Sequence, residues 1–180
     1  MKFLIFSDIH GAADSAEFIV RKTLEENPDR VLLLGDILYH GPRNDVPANY
    51  APKKVIAELS KIADKIICVR GNCEAEVDQM VLPFPCLSEM AMVFADGASI
   101  FMTHGHIHTP DKHPSAGMTH FFSGHTHIRV LEKREDGIIY LNPGSITLPK
   151  QNQVRSYATW NNGKIQTLAM EDDRVLEEIQ

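Results

Sequence analysis

The sequence has few cysteines and lacks any long hydrophobic run. Its three cysteines, Cys68, Cys73 and Cys86, include no CxxC pair, which argues against a disulfide framework and against a thiolate zinc site. The first apolar run, residues 3–6, is shorter than the apolar core of a signal peptide, about 7–15 residues. No later run approaches the ~18 apolar residues of a membrane span. We therefore expect a cytoplasmic protein that does not contact a membrane.

The sequence also lacks an excess of positive charge. Lys and Arg number 18 against 24 Asp and Glu, so the formal net charge is -6. A protein without a basic surface does not bind nucleic acid strongly through phosphate neutralisation, so we expect a small substrate. The 180 residues, 43% of them hydrophobic, are enough for one globular domain that spans residues 1–180.

The first 72 residues alternate between buried strands and helices. "KFLIFS", "RVLLLGD" and "KIICVRGN" are apolar on successive residues, as is typical of strands buried on both faces. The segment "DSAEFIVRKTLEEN" has helical periodicity, and Asp14 with Glu17 predicts its N-terminal cap. Pro52 suits the first turn of a second helix. This order predicts a parallel βαβαβ unit.

The second half of the chain is rich in strand patterns and turns. "SIFMTHG", "HFFSGHTH", "GIIYLNPGS", "SYATWN" and "KIQTLAM" read as strands, and Asp96-Gly97, Asp136-Gly137 and Asn161-Asn162-Gly163 predict hairpins. The whole pattern predicts an α/β fold of mixed α+β character, in which two mixed sheets pack together with helices outside.

Polar side chains follow five of the predicted strands. They are Asp8, His10, Asp36, Asn72, His104, His106, His125 and His127. Seven of the nine histidines lie between His104 and His127. Because ligands gather outside the carboxyl ends of strands in open α/β sheets, we expect these side chains to meet at one edge.

The chemistry of this set favours divalent metal ions. Carboxylate, imidazole and amide groups together suit Mn, Fe or Zn, and a bridging carboxylate can serve two ions. Taken alone, an Asp-x-His at a strand end is most often a turn residue followed by a surface histidine, and the dipeptides "GD" and "GN" are common where a strand ends in a loop or turn. All five, in this order and each after an apolar run, are not readily explained as turns.

The motifs "DIHG", "GDILYHG", "GNCE", "THGH" and "GHTH" resemble the five ordered motifs of the calcineurin-like metallophosphoesterase superfamily. With "LNPGS" and "HGPRN", the chain is similar to the small bacterial phosphodiesterases of that superfamily. The resemblance implies a two-sheet β-sandwich flanked by helices in four layers. It also implies a phosphodiesterase in which a hydroxide bridges two divalent metal ions, with Mn favoured over Fe, Zn, Ni or Co.

Carried over residue by residue, the resemblance implies two groups of metal ligands. Asp8, His10 and His127 would hold one ion, and Asn72, His104 and His125 the other, with Asp36 bridging them. Asp36, Asn72 and His104 would also act in catalysis.

Arg43, Cys73 and His106 are candidate substrate-binding residues. Arg43 could pair with a phosphate, and His40 could face the same cleft, although both also suit an exposed turn. His106 suits phosphate binding or an ordinary surface position. Many superfamily members have a histidine after the Asn of the "GN" motif, where this chain has Cys73. Because a neutral thiol is a poor general acid, we expect either a preference for diesters with acidic leaving groups or another histidine or a metal-bound water that acts as the acid.

Two other functions fit the same resemblance. One is a phosphomonoesterase or nucleotidase, which Cys73 disfavours. The other is a protein-interaction scaffold, since the retromer scaffold subunit has a similar fold, but the complete set of seven ligands disfavours it. Assembly into a homodimer or homotetramer is compatible with the sequence.

Overall fold

The computed structural model describes residues 1–114 and 117–180. It begins with a parallel strand–helix–strand unit made of β1 (Lys2–Phe6), α1 (Ala13–Glu26) and β2 (Arg30–Leu33). A second crossover follows through α2 (Pro52–Leu59) and a 3₁₀ segment (Ser60–Lys65) to β3 (Ile66–Cys68), which pairs in parallel with β2. The predicted βαβαβ unit is therefore confirmed, with strands shorter than the apolar runs.

The start of α1 differs from the prediction in one detail. The helix begins at Ala13 with Ala12 as its N-cap, so the prediction that Asp14 caps the helix was wrong. Asp14 lies inside the first turn, where a carboxylate is favourable near the helix N-terminus, and its Oδ2 pairs with Arg155 Nη1 at 2.8 Å. At α2, Pro52 occupies the first turn as predicted.

The second half contains the three predicted hairpins. β4 (Met90–Ala95) pairs with β5 (Ala98–Thr103) around Asp96-Gly97, and β7 (Val130–Lys133) pairs with β8 (Ile139–Asn142) around Asp136-Gly137. The third hairpin joins β9 (Ser156–Asn161) and β10 (Lys164–Ala169). β6 (His120–Phe122) and β11 (Val175–Ile179) complete the strands; β4, β7 and β11 were not predicted as strands.

Two sheets pack face to face. The first has the order β11-β10-β9-β1-β2-β3 and the second the order β4-β5-β6-β8-β7. Between them lie buried side chains from both sheets, including Ile5, Leu34, Ile100, Phe122 and Trp160. β1, β2 and β3 run parallel to one another, as do β5, β6 and β8, so each sheet gathers three carboxyl ends at one edge.

The outer faces of the two sheets are covered differently. Helices α1 and α2 pack on the first sheet through a buried cluster that includes Phe6, Phe18, Ile19, Val55 and Leu59. On the second sheet the outer cluster is Phe101, Met118, Phe121 and Tyr140. His108 packs against Phe101 and His113 against Phe121, so a loop provides this layer in the part of the chain that the structure describes. The predicted two-sheet sandwich with flanking helices is confirmed, with this refinement of its fourth layer.

Among the described residues, none of the helices combines the length and apolar character that spanning a bilayer requires.

Candidate metal centre and active site

The predicted ligands lie where the parallel strands of the two sheets end. Asp8 and His10 follow β1, Asp36 follows β2 and Asn72 follows β3. From the second sheet, His104 follows β5 directly, and His125 and His127 follow β6. Contacts across the sandwich, such as the 3.9 Å between His104 Nε2 and Asp8 Oδ1, show that both sets of strand ends meet.

The backbone at these strand ends is unusual. Five of the seven predicted ligands have a positive φ: Asp8 (57°), His10 (49°), Asp36 (56°), His125 (68°) and His127 (59°). This left-handed region is unfavourable for residues with a side chain and persists only when the surrounding structure enforces it. The fold therefore holds these side chains in orientations that a relaxed loop would not adopt.

Asp8, His10 and His127, the first ligand group, lie within one buried pocket. Asp8 Oδ1 lies 3.3 Å from His127 Nε2 and 3.6 Å from His10 Nε2, and the two Nε2 atoms are 3.1 Å apart. Ligand atoms at about 2.1 Å from a common ion would lie about 3–3.5 Å from one another. The spacing of the first ligand group matches a single divalent cation.

The hydrogen bonds around this group leave its metal-binding atoms free. Asp8 Oδ2 accepts hydrogen bonds from Ser7 Oγ at 2.6 Å and His125 N at 3.1 Å, whereas Asp8 Oδ1 is buried without a partner among the described residues. A buried acceptor without a partner is uncommon and here points to a cation. The residues present therefore fit a divalent metal.

Three imidazole rings are oriented by backbone carbonyls. The Nδ1 atoms of His10, His104 and His127 lie 2.9, 2.6 and 2.7 Å from the carbonyl oxygens of Tyr39, Leu34 and Leu148. Because a carbonyl oxygen only accepts, each Nδ1 is the donor, and Nε2 turns toward the carboxylates. Histidines that bind metals are usually held in this way by a hydrogen bond from the other ring nitrogen.

Asp36 lies between the first ligand group and the second ligand group, which comprises Asn72, His104 and His125. Asp36 Oδ2 is 3.7 Å from His10 Nε2 and 3.5 Å from His104 Nε2. His104 Nε2 in turn lies 3.2 Å from Asn72 Oδ1, and the His125 ring packs against the His104 ring with centroids 5.1 Å apart. This arrangement suits Asp36 as a carboxylate shared by two cations.

The electrostatics favour positive charge at this site. Burial opposes ionisation of Asp8, but its contacts with His10 and His127 hold its pKa well below the usual value. Burial disfavours the charged form of His104, yet its contact with Asp36 and the charge of Asp8 raise its pKa to about 9. Without a cation these carboxylates retain protons on the imidazoles, so a divalent ion and a proton compete for the same atoms.

Glu74 is an important residue of the site that no pattern in the sequence indicated. Its carboxylate accepts the backbone N–H groups of Asp36 (2.8 Å), Ile37 (2.7 Å) and Gly71 (2.5 Å). Burial, together with the charge of Asp36, raises its pKa to about 7. Glu74 thus fixes the loop that carries Asp36 against the loop that carries Asn72. A Cβ at Gly71 would collide with Asp36, so this close approach requires glycine.

The "LNPGS" segment, residues 141–145, forms hydrogen bonds to the strand ends that carry the predicted ligands. Ser145 Oγ donates to the carbonyl oxygen of Asp8 at 2.8 Å and accepts the N–H of Leu148, whose own carbonyl orients His127. Asn142 Nδ2 donates to the carbonyl oxygen of Gly124 at 2.7 Å, just before His125. The segment therefore joins the β1 and β6 strand ends, although none of its residues was predicted to do so.

A polar cleft of about 250 Å³ opens beside the ligands. Its lining includes the ligands Asp36, Asn72, His125 and His127, together with Gly41, Pro42, Arg43, Asn44, Cys73, Thr126 and Lys150. Arg43 and Lys150 are both exposed, so two cationic side chains stand at its surface. Arg43 was predicted from the "HGPRN" segment, whereas Lys150 was missed because nothing in the local sequence distinguishes it from any surface lysine.

The remaining predicted residues lie at different distances from this cleft. Cys73 lines it, and the ligand atoms of His10, Asp36 and Cys73 lie within 4.8 Å of one another. Burial and the charge of Asp36 raise the pKa of the Cys73 thiol far above its usual value, so the thiol is neutral. The His40 ring instead packs against Tyr39 and Tyr50, with centroids 4.7 and 5.2 Å away.

His106 packs against the His104 ring, with centroids 5.4 Å apart, and lines a neighbouring cavity. Burial, followed by the charge of His104, lowers its pKa. The structure thus places His106 beside the metal ligands and outside the lining of the polar cleft.

Comparison with known proteins gives matches along the whole chain. The calcineurin-like phosphoesterase superfamily domain matches residues 1–163. Phosphodiesterase YfcE of Escherichia coli K12 is 37% identical over 180 residues, which cover 99% of this chain and 97% of that protein. The probable metallophosphoesterase YsnB of Bacillus subtilis is 25% identical over 166 residues, covering 88% of this chain and 82% of that protein.

Solved structures agree with these matches. The structure of YfcE, a phosphoesterase from E. coli, superposes with a TM-score of 0.95 at 37% identity, covering 99% of this chain and 98% of that chain. Vps29 of Chaetomium thermophilum superposes with a TM-score of 0.68 at 16% identity, covering 99% and 96% of the two chains, and shows the fold alone. The predicted fold and the predicted enzyme class, a phosphoesterase, are confirmed. The chain belongs to the calcineurin-like phosphoesterase superfamily.

Proposed function

We propose that this protein is a metal-dependent phosphodiesterase that uses two divalent cations. One observation carries the proposal: the buried Asp8 Oδ1 has no partner among the described residues and faces imidazole nitrogens at 3.3, 3.6 and 3.9 Å. Such a carboxylate is costly to bury unless a cation binds it. The 37% identity to a relative named phosphodiesterase YfcE supports the choice of diesters.

In this proposal each cation has its own ligand group. Asp8, His10 and His127 would hold one ion, Asn72, His104 and His125 would hold the other, and Asp36 would serve both. When bound, two divalent cations would supply an activated water and would neutralise charge on the phosphoryl group. Because the ligands are oxygen and imidazole nitrogen, Mn²⁺ is our preferred metal over Fe, Zn, Ni or Co.

The residues of the polar cleft bind and orient the diester. Arg43 can form paired hydrogen bonds to phosphoryl oxygens, and Lys150 adds a second positive charge at the same opening. Asn72 is exposed and lines the cleft, so its amide can contact the phosphoryl group as well as a cation. The positive charge of this opening draws an anionic substrate into a protein whose net charge is -6.

The protonation state of the Cys73 thiol determines which diesters are hydrolysed fast. Its thiol is held neutral and gives up its proton only at very high pH, so it is a weak acid for a departing oxygen. A diester whose leaving group is already stable as an anion does not require that proton. We therefore propose a preference for diesters with acidic leaving groups over monoesters.

The experiment is hydrolysis of bis(p-nitrophenyl) phosphate by the purified protein with Mn²⁺, compared between wild type and Asp36→Asn. Because Asp36 faces both ligand groups, we expect kcat/KM to fall about a thousandfold, equivalent to about 4 kcal/mol. Asp64→Asn, an exposed aspartate on the 3₁₀ segment, is the matched control and should retain wild-type activity. A wild-type protein that neither hydrolyses the diester nor binds metal would instead be a scaffold of this fold.

The rest of the proposal concerns the whole protein. We propose that residues 1–180 act as one domain, that the substrate is a small diester, and that the copies assemble as a dimer or tetramer. Three free cysteines suit a reducing compartment, so we place the protein in the cytoplasm. Light scattering measures the assembly, and cell fractionation measures the location.

A further inference from the structure

A second cavity adjoins the polar cleft, which we call the ring cavity. It has a volume of about 350 Å³, and His125 and Thr126 line both spaces. Its other lining residues include His106 and Thr109 from the loop after β5, and Tyr140 and Leu141 from β8. A diester bound at the cations could therefore extend past His125 into the ring cavity, whose size is that of ordinary ligand sites, about 300–1,000 Å³.

We propose that the ring cavity binds the ester group that stays on phosphorus after the leaving group departs, and that this ester group carries a flat aromatic or heteroaromatic ring. This proposal rests on the proposed function.

The walls of the ring cavity favour a flat group. The Arg134 guanidinium lies over the Tyr140 ring, 4.4 Å from its centroid. Polar contacts restrain both groups: Arg134 is paired with Glu132 at 2.6 Å and Asp111 at 3.0 Å, and the Tyr140 hydroxyl donates to Asp136 at 2.7 Å. Planar guanidinium and aromatic groups whose orientation is fixed are the usual stacking partners of aromatic rings.

The charges favour a neutral group over a second phosphate. Arg134, the cation among the lining residues, already has two carboxylate partners. By contrast, Arg43 and Lys150 stand at the polar cleft, where a departing oxyanion would be stabilised. The leaving group therefore belongs in the polar cleft and the retained group in the ring cavity.

The His106 ring lines the ring cavity, and rotation of this ring would bring a nitrogen without a partner to face a heteroaromatic ligand. His106 Nδ1 is buried and has no hydrogen-bond partner among the described residues. Buried polar atoms normally have a partner, and a ring nitrogen or an exocyclic amine of a nucleobase would provide one.

The test compares two diesters that release the same leaving group. Bis(p-nitrophenyl) phosphate retains an aryl ester after reaction, whereas methyl p-nitrophenyl phosphate retains a methyl ester. With the Mn²⁺-loaded wild type, we expect KM to be at least tenfold lower for the aryl diester. Val130→Phe, which fills the ring cavity from β7, should bring the two KM values to within threefold of each other. Thr109→Phe on the loop tests the same point if Val130→Phe does not fold.

The matched control is Leu24→Phe, an exposed position on α1, which should keep the tenfold ratio. Equal KM values for the two diesters in wild type would contradict the proposal that the ring cavity binds the retained ester group. The proposed function would be unaffected by that result. An unchanged ratio in a folded Val130→Phe or Thr109→Phe variant would contradict the proposal for the ring cavity as well.

A binding measurement distinguishes an error in the proposal for the ring cavity from an error in the proposed function. Adenosine, which has no phosphate, should produce a saturable shift of the Thr109 methyl resonance in wild type and not in Val130→Phe. If neither diester is hydrolysed, the proposed function is wrong. In that case adenosine shifts would support ring binding in this cavity, and their absence would overturn it.

Discussion

The two ligand groups of the site differ in how much of each is buried. In the first ligand group, Asp8 and His10 have no exposed surface and His127 is 2% exposed. In the second ligand group only His104 is buried, whereas Asn72 is exposed and His125 is half-buried. The first ligand group is thus part of the protein core, while the second faces the polar cleft.

The difference in burial indicates that the two ligand groups have different roles. The first ligand group is held by carbonyls of Tyr39 and Leu148, so its geometry exists before a cation binds. For His125, the described residues provide no hydrogen bond to a ring nitrogen, and its pKa is lowered by burial and by the charge of His104. Under the proposed function, we infer that a cation in the first ligand group would be mainly structural and electrostatic, and that one in the second ligand group would exchange and meet the substrate.

The largest effect should come from comparing His10→Ala with His125→Ala. Loss of His10 removes one ligand from the deeply buried first ligand group and leaves Asp8 Oδ1 in place there. We therefore expect about a thousandfold loss of kcat that added Mn²⁺ does not restore. Loss of His125 opens an accessible site, and we expect the Mn²⁺ concentration for half-maximal activity to rise roughly 10–100-fold. Activity should return at high Mn²⁺.

The measurements are a Mn²⁺ titration of activity and the metal content of the purified variants. His108→Ala is the matched control, because the His108 ring packs against Phe101 outside both ligand groups. If both variants were rescued equally by Mn²⁺, the two groups would not differ in the way their burial indicates.

A smaller effect should follow from Glu74→Gln, which weakens the link between Asp36 and the second ligand group. Gln replaces one acceptor oxygen with a donor, so at least one of three buried N–H groups loses its partner. We expect about 1–3 kcal/mol lower free energy of unfolding and about a tenfold weaker affinity for Mn²⁺. Urea unfolding and metal titration measure the two effects.

Glu89→Gln is the control for Glu74→Gln, since Glu89 is an exposed glutamate just before β4. Loss of stability with unchanged Mn²⁺ affinity would show that Glu74 supports the fold and not the metal site.

Stabilisation of the fold by a metal should depend on pH because of His104, which belongs to the second ligand group. Its pKa of about 9 without metal exceeds the usual 6.5, so protonation stabilises the metal-free fold below pH 6.5, and this contribution is lost as pH rises to about 9. A cation needs the deprotonated ring. The gain in Tm on adding Mn²⁺ should therefore increase by a few degrees between pH 6.5 and 8.5.

Differential scanning calorimetry with and without Mn²⁺ measures this gain at each pH. In His104→Gln, which has no titrating ring at this position, the gain should vary less with pH. A gain that is constant or falls with rising pH in wild type would contradict the electrostatics described for His104.

The two ligand groups also show how far the sequence alone could predict the site. Strand ends in a parallel sheet converge by geometry, so apolar runs followed by Asp, His and Asn were enough to predict which side chains meet. The burial difference between the groups was not predictable, because it depends on the loop that covers each group. Glu74 and Ser145 were missed for a similar reason: Ser145 contacts the carbonyl of Asp8, 137 residues away, and no local pattern signals such a contact.

The smallest effect should come from Cys73→Ala, beside the second ligand group. The thiol is neutral because burial and Asp36 raise its pKa, and it contributes neither charge nor an available proton. We expect kcat/KM for bis(p-nitrophenyl) phosphate to change less than about threefold. Cys86→Ala, a buried thiol outside the cleft lining, controls for the loss of a sulfur atom.

Rates across diesters of graded leaving-group pKa complete the test: without a protein acid at Cys73 they should fall steeply as the leaving group becomes more basic. A thousandfold loss in Cys73→Ala, or a flat dependence in wild type, would mean that a proton is delivered from this side of the cleft after all.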